Sequence, residues 1–380
     1  MNQSGWPIEA EDISKYHLKA SAILQVEGTI GEEPIAESKS NLLRFTRGVA
    51  KRRNVRDSFY ESMKTNPNID LFLNANLVHI NLTETLDKVR GLSVASYAFD
   101  KPAIEVHGGN YVLAMGAIEN IRTLLNSNTQ LKNGIGNNRD LLGRYFMDHP
   151  FSAAATYLLF HKHPDFFNKL FYVKPSRAFV EAEQIGNFYC GIVPFAGEQG
   201  SSYLRQIIEE LAYSIEISEN LAMCLRKDFA CSVGALELYI EQAPLFESRV
   251  SLGAAKDEFG NRRVQLDWNM AELDRRTLRK SLFEVGKYLA ANDIGRVRLS
   301  PYVMEENAVL RKNLSGGHHH LGGIRMGKSP DGGVVDSNCK LFGISNLFVT
   351  GSAVFPTGGA ANPTFTIIKL ALRLSDHLSD

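Results

Sequence analysis

Three consecutive histidines, His318, His319 and His320, open a glycine-rich run that ends in Arg325-Met326-Gly327. Asn362-Pro363 follows further on, just before an apolar C-terminal stretch. Imidazoles can ligate a metal or move a proton near neutral pH. A metal needs side chains that converge on one point. Three neighbours on an extended chain point to alternating faces, and no carboxylate or cysteine stands at ligand spacing beside them. No metal site is therefore expected, and a plain surface cluster is the bland alternative. Proton transfer asks for less: one histidine as base and a neighbour that orients the substrate oxygen. Asn362-Pro363 also has a purely structural reading, because Asn is favoured as a helix N-cap and Pro at the first helical position. A helix starting there would present free N–H groups and partial positive charge to whatever lies in front of it.

The elements needed to hold such groups can be read nearby. Tyr111 to Gly116 has the pattern of a buried strand, and Ala117 to Leu125 follows with Ile118, Ile121, Leu124 and Leu125 on one helical face. Strand, glycine, helix is the grammar of a nucleotide-binding α/β layer. Glu9, Glu11 and Asp12 look like the acidic first turn of a helix running toward Ala22. Asn54 to Lys64 reads as a helix, Ile69 to Leu73 and Leu77 to Ile80 as strands, and Gly108-Gly109-Asn110 as a hairpin turn. From Phe151 onward the chain is rich in Phe, Tyr and Val. Leu236 to Glu241 alternates as a half-buried strand should. Arg249 to Leu252 and Val264 to Trp268 could pair as a hairpin, and Glu272 to Ala290 has the spacing of an amphipathic helix.

Composition narrows the classes of function. Lys plus Arg number 42 and Asp plus Glu also 42, which speaks against a nucleic-acid binder. The dense basic run from Arg44 to Arg56 is read as a solvated face or a phosphate contact. The cysteines Cys190, Cys224, Cys231 and Cys339 have no regular spacing, so reduced thiols and a cytoplasmic setting are expected. Neither a signal peptide nor a membrane span is expected.

The C-terminal residues resemble the glucose–methanol–choline (GMC) oxidoreductases. His319, Gly322 and Arg325-Met326-Gly327 fit that family's histidine motif, and Asn362 stands where the family has His or Asn before its last helix. Ser4 to Pro7 with Asp12 and Tyr16, Asn74 to Val78, Ala114 to Glu119, Gly143 to Pro150 and Ser248 to Val250 also fit, in order. The resemblance implies an α/β and α+β fold. Residues 1–150 would be the remainder of an FAD-binding domain, 151–310 an inserted antiparallel-sheet substrate domain, and 311–380 the C-terminal part of the FAD-binding domain with the catalytic residues. It implies oxidation of the CH–OH group of an alcohol or sugar, with hydride passing to FAD, His319 as general base and Asn362 orienting the oxygen. Val78, Ala114, Gly116, Gly351, Ser352, Asn362 and Pro363 would contact the cofactor.

The family's G-x-G-x-x-G turn has no counterpart in these 380 residues; Gly134-Ile135-Gly136 lacks the third glycine. The sequence therefore reads as a truncated form, with a second chain as the possible source of the missing pyrophosphate contacts. The alternative expectation is a catalytically silent, partner-dependent protein that does not retain flavin.

Overall fold

The structure is a computed structural model and describes residues 5–28, 31–35, 40–46, 48–51, 55–97, 103–160, 171–195, 231–305 and 314–380. Ser4, Asn54 and Cys224, named above, and Arg47, Arg52 and Arg53 within the basic run lie outside these.

Alternation in the strand Ser232–Ile240 sets up the larger layer. Leu236, Leu238 and Ile240 are buried, while Glu237 and Tyr239 between them are half-buried on the other face. This strand lies inside an antiparallel eight-stranded sheet. In spatial order the strands are Gly295–Leu299, Pro150–Leu159, Ser232–Ile240, Phe188–Pro194, Phe171–Pro175, Leu42–Thr46 and Gly31–Pro34; the short Ser315–Gly316 pairs with the start of Pro150–Leu159. The helix Glu272–Ala291 covers one face. Its Leu278, Leu282, Val285 and Leu289 recur at helical spacing and are all buried in one core with Leu236, Leu238 and Ile240. Each such side chain contributes roughly 1.5–3 kcal/mol of burial. Asp274 holds the start of this helix, accepting from the amides of Ala271 (2.7 Å) and Ala243 (2.8 Å). Burial pushes its carboxyl up to about 7, against the pull of those two amides.

A second core is built around the strand Tyr111–Leu113, the helix Ala117–Asn126 and the strand Leu347–Val349. The two strands run parallel, Leu347 beside Tyr111 and Val349 beside Leu113. Asn76–Leu82, Val89–Ala95 and Ile104–Val106 form a separate antiparallel sheet against the same helix. The hairpin Arg249–Lys256 with Arg262–Asp267 packs on this core through Val250, Leu252 and Val264. The two cores therefore interleave across the boundaries expected at 150 and 310. Strands from 31–46 join the large sheet, and the 249–267 hairpin joins the other core.

The mixed α/β architecture with antiparallel sheets agrees with the expected fold class. The helices Val55–Thr65, Ala117–Asn126 and Glu272–Ala291 lie where periodicity placed them. Several local expectations need correction. Ile69 to Leu73 is not a strand: it runs irregularly with Phe72 and Leu73 exposed, since no partner strand pairs with it among the described residues. Gly108-Gly109-Asn110 does not close a hairpin. Ile104–Val106 pairs with Val89–Ala95, and Tyr111–Leu113 crosses to pair with Leu347–Val349. The first helix breaks at Lys15-Tyr16 into Ala10–Ser14 and His17–Leu24, and the buried Tyr16 donates its hydroxyl to Asp376 at 2.7 Å. The basic run is spread over separate elements: Arg44 lies over the Phe171 ring, and Lys51 pairs with Glu27.

The cysteines also differ from expectation. Cys190 and Cys339 are buried free thiols, but Cys231 is disulfide-bonded, its other half outside the described residues. A lone disulfide needs only two Cα atoms within reach, not a regular spacing. No helix among the described residues is long and apolar enough to cross a membrane.

Candidate active site

Two stretches far apart in sequence are stitched into one short antiparallel pair. Met147 and Leu321 exchange backbone hydrogen bonds at 2.9 and 2.8 Å, and both side chains are fully buried. Gly317 donates its amide to the carbonyl of His149 at 2.9 Å. Between these anchors lies Asp148, buried, whose Oδ1 accepts from the amides of His149 (2.7 Å) and His319 (2.8 Å). One carboxylate oxygen thus fixes the backbone of both histidines. Their rings meet edge to face, with Nδ1 to Nδ1 at 2.9 Å.

The flanking residues make this turn possible. His318 adopts φ 59° and turns its ring to solvent, while His320 leans toward the Phe146 ring at 5.7 Å. Gly322, at φ 72°, passes so near the Tyr145 carbonyl that a Cβ would collide with it. The three neighbouring imidazoles diverge. Among the described residues no group of three or more His, Cys, Asp or Glu is arranged to hold a metal.

A loop before the last helix completes the arrangement. The Gly359 carbonyl lies 2.8 Å from His149 Nε2, and the Gly359 amide donates to Glu241 Oε1 at 3.1 Å. The next residue, Gln242, is buried and hydrogen-bonded at both ends of its amide. Its Oε1 accepts from the Asp148 amide (2.9 Å) and Trp268 Nε1 (2.8 Å), and its Nε2 donates to the Asn269 carbonyl (2.7 Å). Two adjacent residues at the exit of one sheet strand therefore hold both halves of the site. Thr357 on the same loop accepts from Trp6 Nε1 at 3.0 Å. A cleft of about 420 Å³ opens beside this loop, lined among others by Thr357, Glu241, Asn187 and Lys174.

Burial dominates the electrostatics. It pulls His149 down to about 4, helped by the neighbouring His319 and opposed by the contact with the Gly359 carbonyl and by Asp148. Burial also lowers His319, with Asp148 opposing and His318 and His320 adding to the fall. Both rings are neutral at pH 7. Burial raises Glu241, against the pull of the Gly359 and Asn187 amides. The folded His149 has a pKa below its unfolded value, so the unfolded chain binds the proton more tightly. Its share of stability is whole above pH 6.5 and is lost as pH falls toward 4, by roughly 3 kcal/mol at full extent. Urea midpoints from pH 7.5 to 4 should fall for the wild type and fall markedly less for His149→Gln. Parallel curves would show that the loss comes from other groups.

Of the residues singled out from sequence, His319 is half-buried beside His149, and the Gly359 loop leads on to Asn362. Asn362 is exposed and does not cap the helix. Pro363 occupies the capping position with φ −75°, and its carbonyl accepts from the Ile367 amide at 2.9 Å. The first-turn amides of this helix receive no side-chain cap, and the Asn362 side chain is exposed.

Ala114, Gly116, Gly351 and Ser352 are brought together at the carboxyl ends of the two parallel strands. Thr350 donates its amide to the Leu113 carbonyl at 2.9 Å. Gly116 (φ 85°) opens the helix Ala117–Asn126, Gly351 (φ 106°) opens a short 3-10 turn, and open space lies where either would carry a Cβ. Thr350 Oγ1 is buried there without a hydrogen-bond partner. Carboxyl ends of parallel strands, a free helix N-terminus and two backbone stretches open to close approach fit a nucleotide diphosphate. Ser352 is partly committed, its hydroxyl donating to the His320 carbonyl at 2.6 Å. Val78 lies elsewhere, at a bulge in its strand, where its carbonyl accepts from Asn261 Nδ2 at 3.0 Å.

Sequence reasoning missed His149, Glu241, Gln242 and Asn120. Asn120 is fully buried and ties the two strand ends together: its Oδ1 accepts from the Met115 amide, and its Nδ2 reaches the carbonyls of Leu113 and Thr350 at 3.4 Å. A polar residue on the apolar face of a helix was the available signal for Asn120.

Residues 244–371 match the family model described as GMC oxidoreductase. The large subunit of fructose dehydrogenase from Gluconobacter japonicus is 25% identical over 309 residues, covering 78% of this chain and 52% of that protein. A C-glycoside 3-oxidase from Microbacterium trichothecenolyticum is 33% identical over 128 residues, 33% of this chain and 22% of that one. The chain spans about half the length of the first of these relatives and less of the second. Among solved structures, pyridoxine 4-oxidase from Mesorbium loti superposes with a TM-score of 0.57 at 18% identity, over 98% of this chain and 71% of that one. That similarity speaks to the fold.

Proposed function

We propose, from the premise that residues 244–371 carry the C-terminal domain of a GMC oxidoreductase, that this chain oxidises the CH–OH group of an alcohol or sugar. The observation that carries the reading is His319, a half-buried neutral imidazole held at one ring nitrogen and not at the other. Such a ring can take the hydroxyl proton from a substrate placed against its second nitrogen. Asn362, exposed and spared from capping, would hydrogen-bond the same oxygen and fix its direction. A flavin, when bound, supplies the two-electron acceptor for the hydride that leaves the substrate carbon.

Ala114, Gly116, Gly351 and Ser352 would hold the diphosphate of FAD by backbone approach, and Pro363 would lie at the ring end. Val78 is retained as an adenine contact through its backbone. The cleft beside the Gly359 loop has a mixed lining, with Glu241, Asn187, Lys174 and Thr357 beside Leu43, Val180 and Ile185, and would offer a substrate both hydrogen-bonding groups and apolar contact. Relatives described as a fructose dehydrogenase subunit and a C-glycoside oxidase support a sugar or related polyol. One relative is described as the large subunit of an enzyme, which supports assembly with a further chain; that such a chain completes the nucleotide contacts is part of the proposal.

The test is flavin content of the purified chain with and without added FAD, followed by reduction of an artificial acceptor with a panel of sugars and alcohols. Bound flavin with substrate-dependent turnover is expected. No flavin and no turnover would sink the reading for this chain and favour the silent, partner-dependent alternative.

A further inference from the structure

We infer that His149 is a positioning residue that selects the tautomer of His319, leaving His319 Nε2 as the outward lone pair. The deduction uses only donors and acceptors. The Gly359 carbonyl can only accept, so the nitrogen 2.8 Å from it, His149 Nε2, carries a hydrogen. A neutral imidazole has one N–H, so His149 Nδ1 is then a lone pair. The atom 2.9 Å from that lone pair is His319 Nδ1, which must therefore be the donor. His319 is left with hydrogen on Nδ1 and none on Nε2. Burial keeps His149 neutral, as the chain of bonds requires. The relay begins in the substrate sheet, because Glu241 holds the amide of the glycine whose carbonyl starts it. Asp148 contributes independently, through the backbone of both histidines, and sets where the rings stand rather than which nitrogen is protonated.

The consequence deepens the proposed function and rests on it: a base must present a lone pair to the hydroxyl, and the opposite tautomer presents a hydrogen. In an acid–base triad, the wrong tautomer in an otherwise intact site costs on the order of 10⁴ in kcat.

Ring-nitrogen NMR of the full chain labelled with ¹⁵N-histidine reads the tautomers directly and needs no turnover. His319 signals are assigned by their loss in His319→Asn, and His149 signals by their loss in His149→Gln. At pH 7.5 the expected result is His319 protonated at Nδ1 and His149 protonated at Nε2. A His319 protonated at Nε2 in the wild type overturns the inference outright, whether or not any variant folds. In His149→Phe, which keeps the ring volume but no acceptor, His319 is expected to shift toward the Nε2–H form. In His149→Gln, whose amide oxygen can accept, it should stay Nδ1–H. An unchanged tautomer in a folded His149→Phe protein would also overturn it. In flavin-loaded protein, turnover should fall about 10²–10⁴-fold in His149→Phe and recover in part in His149→Gln. Absence of flavin or of any turnover bears on the proposed reaction alone and leaves the NMR result to decide the tautomer.

Discussion

His319→Asn is expected to lower alcohol turnover by roughly 10²–10⁴-fold, which corresponds to about 3–5 kcal/mol of lost transition-state stabilisation. Asparagine keeps a hydrogen-bonding side chain of similar reach but cannot take up a proton at neutral pH. The His319 backbone amide still reaches Asp148 in this variant, so the turn that carries it should persist. The loss should therefore fall on kcat and on kcat/KM alike, with KM little changed, because the interaction removed is one that strengthens only as the proton moves. Bound flavin should remain at the wild-type level, since the strand ends at Gly116 and Gly351 are not touched by the change. Steady-state kinetics with flavin quantified in the same samples reads both quantities. More than a tenth of the wild-type turnover in His319→Asn would place the base elsewhere.

The second large effect is on stability. Asp148→Ala removes the single oxygen that accepts from the amides of His149 and His319, in a buried position. Each amide left without a partner costs about 1–3 kcal/mol, so the variant should lose roughly 2–6 kcal/mol. That is a large share of the 5–15 kcal/mol by which domains are ordinarily stable. Asp148→Asn retains an accepting oxygen and should lose only about 1 kcal/mol. Denaturant unfolding of the two variants side by side distinguishes a hydrogen-bonding role from a purely electrostatic one. Equal losses would show that the negative charge, not the acceptor, matters there.

Much of this molecule can be read before it is seen, and the unread parts share one cause. The helices Ala117–Asn126 and Glu272–Ala291 carry their apolar residues on one face, so periodicity finds them. The strand–glycine–helix order at Gly116 likewise foretells a backbone open to a ligand. His319 stands out because unusual residues surround it in the sequence. His149 does not, because its meaning lies in a ring contact with a residue 170 positions away. Asp148-His149-Pro150 was visible as part of a family-like run, yet no local pattern says which nitrogen of which ring it faces. The same holds for Tyr111–Leu113, whose partner is Leu347–Val349 and not the neighbouring strand that a Gly-Gly-Asn turn suggests. Ile69 to Leu73 shows the converse: an apolar run has the composition of a strand, but a strand exists only where another backbone meets it.

The adjacency of Glu241 and Gln242 bears on how such a protein could change its diet. Under the proposed function a substrate would be recognised across the broad sheet, where many side chains can vary in size and charge. The chemistry, by contrast, hangs from that sheet by two consecutive side chains, one on the Gly359 loop and one on Asp148. As long as those two fasteners keep their length and hydrogen-bonding pattern, the rest of the sheet face can be remodelled without disturbing the histidine pair. Recognition and reaction are in this sense separately adjustable, and a designer wishing to retarget the protein would leave 241 and 242 alone and work outward from them.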